Sequence, residues 1–205
     1  MSMNDLSVRA FADELAAKTS VPGGGGASAL VGALASALGS MVGNFTLGKK
    51  KYADVEPDIT RLMEEAKELQ DGLLACIEKD AEGFEPLSKA YGIPKDAPGR
   101  DETLEACLRD AAAVPMEIAE LSVKVIVLQE EFAEKGSKLM VSDAGCGAAL
   151  ARAALEGAVL NVRVNTKLMK DREYAQKLNG RADGLLTEGR RDADAVYASV
   201  LDGLR

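Results

Sequence analysis

The chain has 205 residues, 47% hydrophobic and 28% charged, which is typical of one folded domain over residues 1–205. Its formal net charge of -8 lacks the clustered Lys and Arg of a nucleic-acid-binding surface, so we expect no nucleic-acid partner. Because there is no histidine, His-based nucleophile pairs and His-liganded metal centres are excluded, and acid–base chemistry must use Asp, Glu, Lys, Tyr or Cys.

The first two predicted helices lie on either side of a glycine run. Residues 6–18 predict a short amphipathic helix that ends before Pro22 and four glycines. Residues 27–47 carry no charge and predict a second helix rich in Ala, Gly and Ser. That run is long enough to span a membrane but only weakly hydrophobic, and no second span follows. We therefore expect a central core helix and no membrane association.

Two long helices follow, separated by a loop. Apolar residues recur at steps of three and four over residues 57–87 and predict an amphipathic helix with Pro57 in its first turn. Residues 92–100 hold two prolines and two glycines and predict a loop. A fourth helix is predicted from residue 101 to about residue 132, and Pro115 should kink or divide it.

The last third of the chain predicts two more helices. Ser142 is a plausible N-cap for a fifth helix, rich in Ala and Gly, that reaches about Lys170. Asp171 could cap a sixth. No stretch shows sustained strand alternation. The predicted fold is all-α, a multihelical single domain of about six helices, two of them central and Ala/Gly-rich.

The three cysteines, Cys76, Cys107 and Cys146, lack the paired spacing of a zinc or redox motif. We expect buried, reduced thiols in a cytoplasmic protein. The N-terminal residues have charges in place of the apolar segment of a secretory signal, which agrees with that location. We expect neither a metal nor a bound cofactor.

The glycine run Gly23–Gly26 precedes a long helix, whose positive end could bind an anion through backbone N–H groups. No Gly-Lys-Ser/Thr follows the run and a helix precedes it, so it matches neither a P-loop nor a dinucleotide fingerprint. The alternative is a tight turn that needs glycine for its backbone conformation.

Asp80 lies three residues after Ile77 and four before Phe84, on the apolar stripe of the third helix. Its carboxylate should therefore face inward, where burial raises a carboxyl pKa and favours general acid–base catalysis. The alternative is a structural Asp that pairs with Lys or caps a neighbouring helix. These residues leave both interpretations open.

Lys49 and Lys50 belong to a basic cluster at the end of the uncharged helix. They could complement the negative end of that helix or hold an acidic tail of a substrate. Asn161 and Asn165 share a face of the fifth helix, where they could bond to neighbouring helices or recognise polar edges of a heterocycle.

Asp143 lies about 27 Å from Asn161 if one helix joins them, at 1.5 Å per residue. The two residues cannot then line one pocket within a single chain. A site between two chains would remove this difficulty.

Six segments taken together resemble the cyclodeaminase/cyclohydrolase family of folate enzymes. They are PGGGGASA from Pro22, GSMVGNFTLGKKKY from Gly39, KDAEGF from Lys79, YGIPK from Tyr91, VSDAG from Val141 and NVRVN from Asn161. The resemblance runs through nearly the whole chain. It implies a multihelical, dimeric fold, a small-molecule folate substrate and a site near the dimer interface.

The resemblance also implies residue roles. Asp80 matches the proton acceptor of the family. The residues expected to bind the substrate are Gly23, Gly24, Gly25, Ser28, Lys49, Lys50, Asp143, Asn161 and Asn165. The chain departs from the common form PGGGSAS by having Gly26-Ala27, so any role of that first serine is absent.

The implied reaction is hydrolysis of 5,10-methenyltetrahydrofolate to 10-formyltetrahydrofolate. The absence of an attached transferase domain favours this reaction. The alternative is cyclodeamination of formiminotetrahydrofolate with release of ammonia. A third hypothesis is a helical folate-binding or scaffold protein without catalysis.

Overall fold

The computed structural model describes residues 2–205, and these residues form six α-helices and no strand. The helices are α1 (Val8–Ala16), α2 (Gly24–Asn44), α3 (Glu56–Tyr91), α4 (Arg100–Lys135), α5 (Val141–Leu168) and α6 (Arg172–Asp202). Three short 3₁₀ helices accompany them, at Met3–Asp5, Lys50–Val55 and Lys138–Met140. The prediction of an all-α fold with about six helices is confirmed.

The small residues of α2 let it pack in the centre of the fold, against α3, α4 and α5. A Cβ added at Gly32 would lie 3.1 Å from Leu73 on α3 and 3.4 Å from Ala154 on α5. A Cβ added at Gly39 would lie 2.8 Å from the Phe132 ring on α4. These distances leave no room for larger side chains, so the Ala- and Gly-rich composition is a packing requirement.

Within the described residues, α2 is the one helix long and apolar enough to cross a membrane, with a mean hydropathy of 1.5. Its 18-residue apolar window is 56% buried inside the fold. That burial is what a core helix requires. Helix α5, the second Ala- and Gly-rich helix, packs against α2, α4 and α6.

Two predicted helix starts are wrong. Helix α2 begins at Gly24 rather than Ala27, because the glycines form its first turn and the Ala27 N–H already donates to the Gly23 carbonyl. Helix α5 begins at Val141, so Ser142 lies inside its first turn instead of capping it. The predicted cap of α6 is confirmed, since Asp171 accepts a hydrogen bond of 3.0 Å from the Tyr174 N–H.

The cysteines differ in their surroundings. Cys76 is buried, and burial raises the pKa of its thiol to about 12. Cys107 is half-buried and Cys146 is exposed on α5. The expectation of three buried thiols is therefore wrong for Cys146, because that face of α5 has no helix packed on it in one chain.

Candidate active site

A cavity of about 220 Å³ lies where the start of α2 meets α3, α4 and α5. It brings together six of the ten predicted site residues: Gly23, Gly24, Gly25, Asp80, Asn161 and Asn165. The remaining wall comes from Ser20, Val21, Phe84, Ala111, Pro115 and Val164. Among these lining residues of the described chain, Asp80 is the only one with an ionisable side chain.

Asp80 is half-buried on α3 and caps the first turn of α2. Its Oδ2 accepts a hydrogen bond of 3.0 Å from the Gly26 N–H. The first N–H groups of a helix have no partner within the helix, and they carry its positive end. The interpretation of Asp80 as a helix cap is therefore correct for this hydrogen bond. The second carboxylate oxygen, Oδ1, remains available to a ligand.

Gly25 is required beside Asp80. A Cβ at this position would overlap the Asp80 carboxylate, and the Gly25 backbone is buried against it. A Cβ at Gly24 would lie 3.0 Å from Nδ2 of Asn161 on α5. The glycine run thus allows α3 and α5 to approach the start of α2 closely.

Burial raises the pKa of Asp80 above its ordinary value of 3.8, and the hydrogen bond from Gly26 opposes this rise without cancelling it. A carboxylate with a raised pKa is a stronger base than an exposed one. The cavity therefore contains a single group suited to accept a proton from a substrate or a water molecule.

Asn161 and Asn165 use their amide nitrogens for the fold. Nδ2 of Asn161 donates to the Gly157 carbonyl at 2.8 Å. Nδ2 of Asn165 donates to the Ala111 carbonyl on α4 at 2.9 Å and to the Asn161 carbonyl at 3.1 Å. Neither amide oxygen accepts a hydrogen bond from residues 2–205, so both oxygens remain available to a ligand.

Ser28 is not part of the cavity wall. Its buried hydroxyl donates to the Gly24 carbonyl at 2.7 Å, one turn into α2. A Cβ at Gly157 would overlap this hydroxyl, so Ser28 lies in the contact between α2 and α5. Its geometry supports helix packing next to the cavity.

Lys49, Lys50 and Asp143 lie at the opposite end of the molecule. Helix α2 has 21 residues, about 31 Å, between the cavity and the lysines. Helix α5 is unbroken between Asp143 and Asn161, so their separation of about 27 Å stands. The Tyr52 hydroxyl accepts a hydrogen bond from the Lys138 N–H, which holds the lysine segment beside the start of α5.

Some lining residues could have been predicted and others could not. Phe84 lies one turn after Asp80 on the same apolar stripe, which is a usable signal. Val164 is 63% exposed, and Pro115 comes from the middle of a different helix. Only the tertiary arrangement brings these two residues to the cavity. No group of three or more Cys, Asp or Glu within residues 2–205 is placed to hold a metal ion.

A family model described as formiminotransferase-cyclodeaminase matches residues 7–184. The chain is 38% identical to a protein of Methylorubrum extorquens named methenyltetrahydrofolate cyclohydrolase, over 95% of each chain. It is 33% identical to the rat formimidoyltransferase-cyclodeaminase, over 97% of this chain and 38% of that protein. The crystal structure of a formiminotetrahydrofolate cyclodeaminase from Thermotoga maritima matches with a TM-score of 0.83 and 34% identity, covering 98% of this chain and 96% of that chain.

The raised pKa of Asp80 predicts a pH-dependent stability. The folded state binds this proton more tightly than the unfolded chain, so the contribution of Asp80 to the free energy of unfolding falls as pH rises from 3.8 through the folded-state pKa. Asp80→Asn cannot titrate. Urea unfolding of both proteins between about pH 4 and pH 7 should show their stability difference moving in favour of the variant. A constant difference, or one moving in favour of the wild type, would contradict the raised pKa.

Proposed function

Because this chain belongs to the formiminotransferase-cyclodeaminase family, we propose that it is a methenyltetrahydrofolate cyclohydrolase, which hydrolyses 5,10-methenyltetrahydrofolate to 10-formyltetrahydrofolate. The observation that carries the proposal is the lone carboxylate of Asp80 in the cavity, since the methenyl substrate is a cation. The 38% identity to a protein named for this reaction supports it.

The substrate carries one carbon between N5 and N10 as an amidinium cation. The oxygen of a water molecule adds to this carbon while Asp80 accepts a proton from the water. The C–N5 bond then breaks as the hydroxyl of the adduct loses its proton to solvent and Asp80 returns a proton to N5, which leaves the formyl group on N10. Overall, the cation and water give 10-formyltetrahydrofolate and one released proton. Water attacks a carbon that is already electrophilic, so no cofactor takes part.

Asp80 must stabilise the transition state more than the ground state. An anionic Asp80 attracts the cationic substrate ring, and this attraction alone would lower KM without raising kcat. Proton transfer occurs only during the reaction, so it is the part of the Asp80 interaction that raises kcat.

Formiminotetrahydrofolate cyclodeaminase is the second candidate. The 34% identity and TM-score of 0.83 to the Thermotoga maritima structure support this reaction. It involves the same carbon, because N10 attacks a formimino group on N5 and ammonia leaves. One proton-accepting group could serve either reaction. The relatives named above are enzymes, which argues against a scaffold without catalysis.

An exposed apolar face supports a homodimer. It consists of residues of α2 and α5, two helices that pack against each other, together with Phe45 directly after α2: Leu34, Met41, Phe45, Leu150, Leu160, Val164 and Leu168, each at least 36% exposed. Helix α2 carries no charged residue on any side. Exposed apolar side chains grouped on neighbouring helices are typical of an interaction site. The occupant that we propose is a second copy of this chain.

A two-fold axis would explain the separated site residues. Residues 143 and 161 lie nine positions on either side of residue 152, so an antiparallel pair of α5 helices with its two-fold axis at the level of residue 152 would bring Asp143 of one chain to Asn161 of the other. Because α2 and α5 are antiparallel, the same axis would bring Lys49 and Lys50 towards the partner's cavity. There they would bind the folate carboxylates. Val164 belongs to both the cavity wall and the apolar face, so the cavity opens beside the proposed interface.

A cytoplasmic location is part of the proposal. The three cysteines form no disulfide within residues 2–205, as expected in a reducing compartment.

The two candidate reactions differ in what they do to the methenyl chromophore. Purified protein is offered methenyltetrahydrofolate and formiminotetrahydrofolate separately, each against buffer alone. We expect enzyme-dependent loss of methenyl absorbance with the first substrate. Gain of methenyl absorbance from the second substrate alone would identify the cyclodeaminase instead.

In that assay, Asp80→Asn should lower turnover by about 10²- to 10⁴-fold, the usual contribution of general acid–base catalysis. The fold should survive, because an Asn oxygen can still accept the Gly26 N–H. Asp71→Asn, an exposed position on the same helix, is the matched control and should retain turnover. Near-normal turnover of folded Asp80→Asn would make the catalytic assignment wrong.

Leu34→Glu tests the interface. Leu34 is 52% exposed on α2 and outside the cavity wall, so a charge there should split a dimer into monomers and lower activity. Sedimentation equilibrium measures the assembly state. Val8→Glu, at an 86% exposed position on α1, should leave the dimer intact. A wild-type monomer with full activity would exclude the interchain site.

A further inference from the structure

Pro115 leaves one carbonyl of α4 without a donor. Proline has no N–H, so the carbonyl four residues earlier, that of Ala111, loses its helical hydrogen bond. Helix α4 nevertheless runs unbroken from Arg100 to Lys135, so of the predicted kink or division at Pro115, the division does not occur. Both Pro115 and Ala111 line the cavity.

Asn165 supplies the missing donor from α5. Its Nδ2 lies 2.9 Å from the Ala111 carbonyl oxygen and 3.1 Å from the Asn161 carbonyl oxygen. The reverse orientation would place the Asn165 amide oxygen against these two carbonyl oxygens, and neither of them can donate a hydrogen bond. The orientation of this amide is therefore determined by its partners, and the residue is only 8% exposed.

The neighbouring amide is oriented in the same way. Asn161 donates through Nδ2 to the Gly157 carbonyl at 2.8 Å, which leaves its oxygen available. Asp80 contributes a further oxygen, Oδ1. Three side chains of the cavity thus offer acceptors, while the Ser20 hydroxyl can serve as donor or acceptor.

We propose that Pro115 is a positioning residue that holds the Asn165 amide oxygen towards the substrate, so that the cavity selects a ligand edge made of N–H donors. This inference rests on the proposed function in naming the ligand. The reduced pterin ring of a tetrahydrofolate carries such donors, in its exocyclic amine and its ring N–H groups. A ligand with acceptors at these positions would face unpaired oxygens and bind weakly.

The first test is Pro115→Ala. The restored N–H can donate to the Ala111 carbonyl, so Asn165 Nδ2 competes with it there and keeps only its bond to the Asn161 carbonyl unchallenged, and the amide is held less firmly. KM should rise by roughly 2- to 10-fold, the equivalent of one net hydrogen bond, with kcat changed by less than about twofold. The melting temperature should not fall, because Ala favours a helix interior far more than Pro.

Pro86→Ala is the matched control. Pro86 lies inside α3, is exposed and does not line the cavity. It should raise the melting temperature for the same propensity reason and leave KM unchanged. An equal rise of KM in both variants would assign the effect to helix rigidity and overturn the proposal.

A double variant tests the link between the two residues. Asn165→Asp has nearly the same shape but no amide hydrogens, so it should lower the melting temperature by leaving the Ala111 carbonyl unpaired. In the Pro115→Ala background that carbonyl has its own helical donor, and the fall should be smaller. This non-additivity is expected of residues that share one partner.

The outcomes separate this proposal from the proposed function. Non-additive melting temperatures together with a raised KM for Pro115→Ala support it, whichever of the two folates is the substrate. Additive melting temperatures, or an unchanged KM for Pro115→Ala, overturn it. The melting measurements need no substrate, so they decide whether Pro115 orients Asn165 even if the wild type turns over neither folate.

Discussion

Asp80 and the first turn of α2 hold each other in place through one hydrogen bond, from the Gly26 N–H to a carboxylate oxygen. The carboxylate satisfies a helix start that has no side-chain cap of its own, since Gly23 occupies the N-cap position. Glycine at position 25 makes the approach possible, because any Cβ would overlap the carboxylate. Burial at this helix start removes Asp80 from water and raises its pKa, while the hydrogen bond from Gly26 opposes that rise, so the structural and chemical roles of this residue arise at one place.

The rest of the site follows from how closely the helices pack. Gly24 allows Asn161 of α5 to lie against the start of α2, and Gly32 allows contact with Ala154 further along. Antiparallel α2 and α5 then place the glycine run at one end of the molecule and the lysines with Asp143 at the other. The residues predicted to bind substrate therefore lie in two groups about 30 Å apart in one chain, and the proposed two-fold dimer would join them.

Much of this arrangement could be predicted from local patterns. The spacing of apolar residues located the helices, and the position of Asp80 on the apolar stripe correctly predicted that it faces inward. The predicted start of α2 was wrong because the residue that caps its first turn, Asp80, lies 54 positions from Gly26 in the sequence. Pro115 does not divide α4, and the donor to the Ala111 carbonyl, Asn165, lies 54 residues further along the chain. Local propensity cannot report partners at such separations, and the meeting of Gly24, Asp80 and Asn161 depends on three separate helices.

Asp80 can accept a proton from the substrate site only if the glycine run holds its carboxylate in place. The most direct measurement is turnover per folded molecule for Gly25→Ala and Gly26→Ala with the preferred folate. A methyl group at position 25 displaces the carboxylate, whereas one at position 26 meets only Pro22 at 3.7 Å and Ile77 at 3.8 Å, which are ordinary contacts. We expect Gly25→Ala to fold but to lose most turnover, and Gly26→Ala to retain turnover. Wild-type turnover in folded Gly25→Ala would contradict the account.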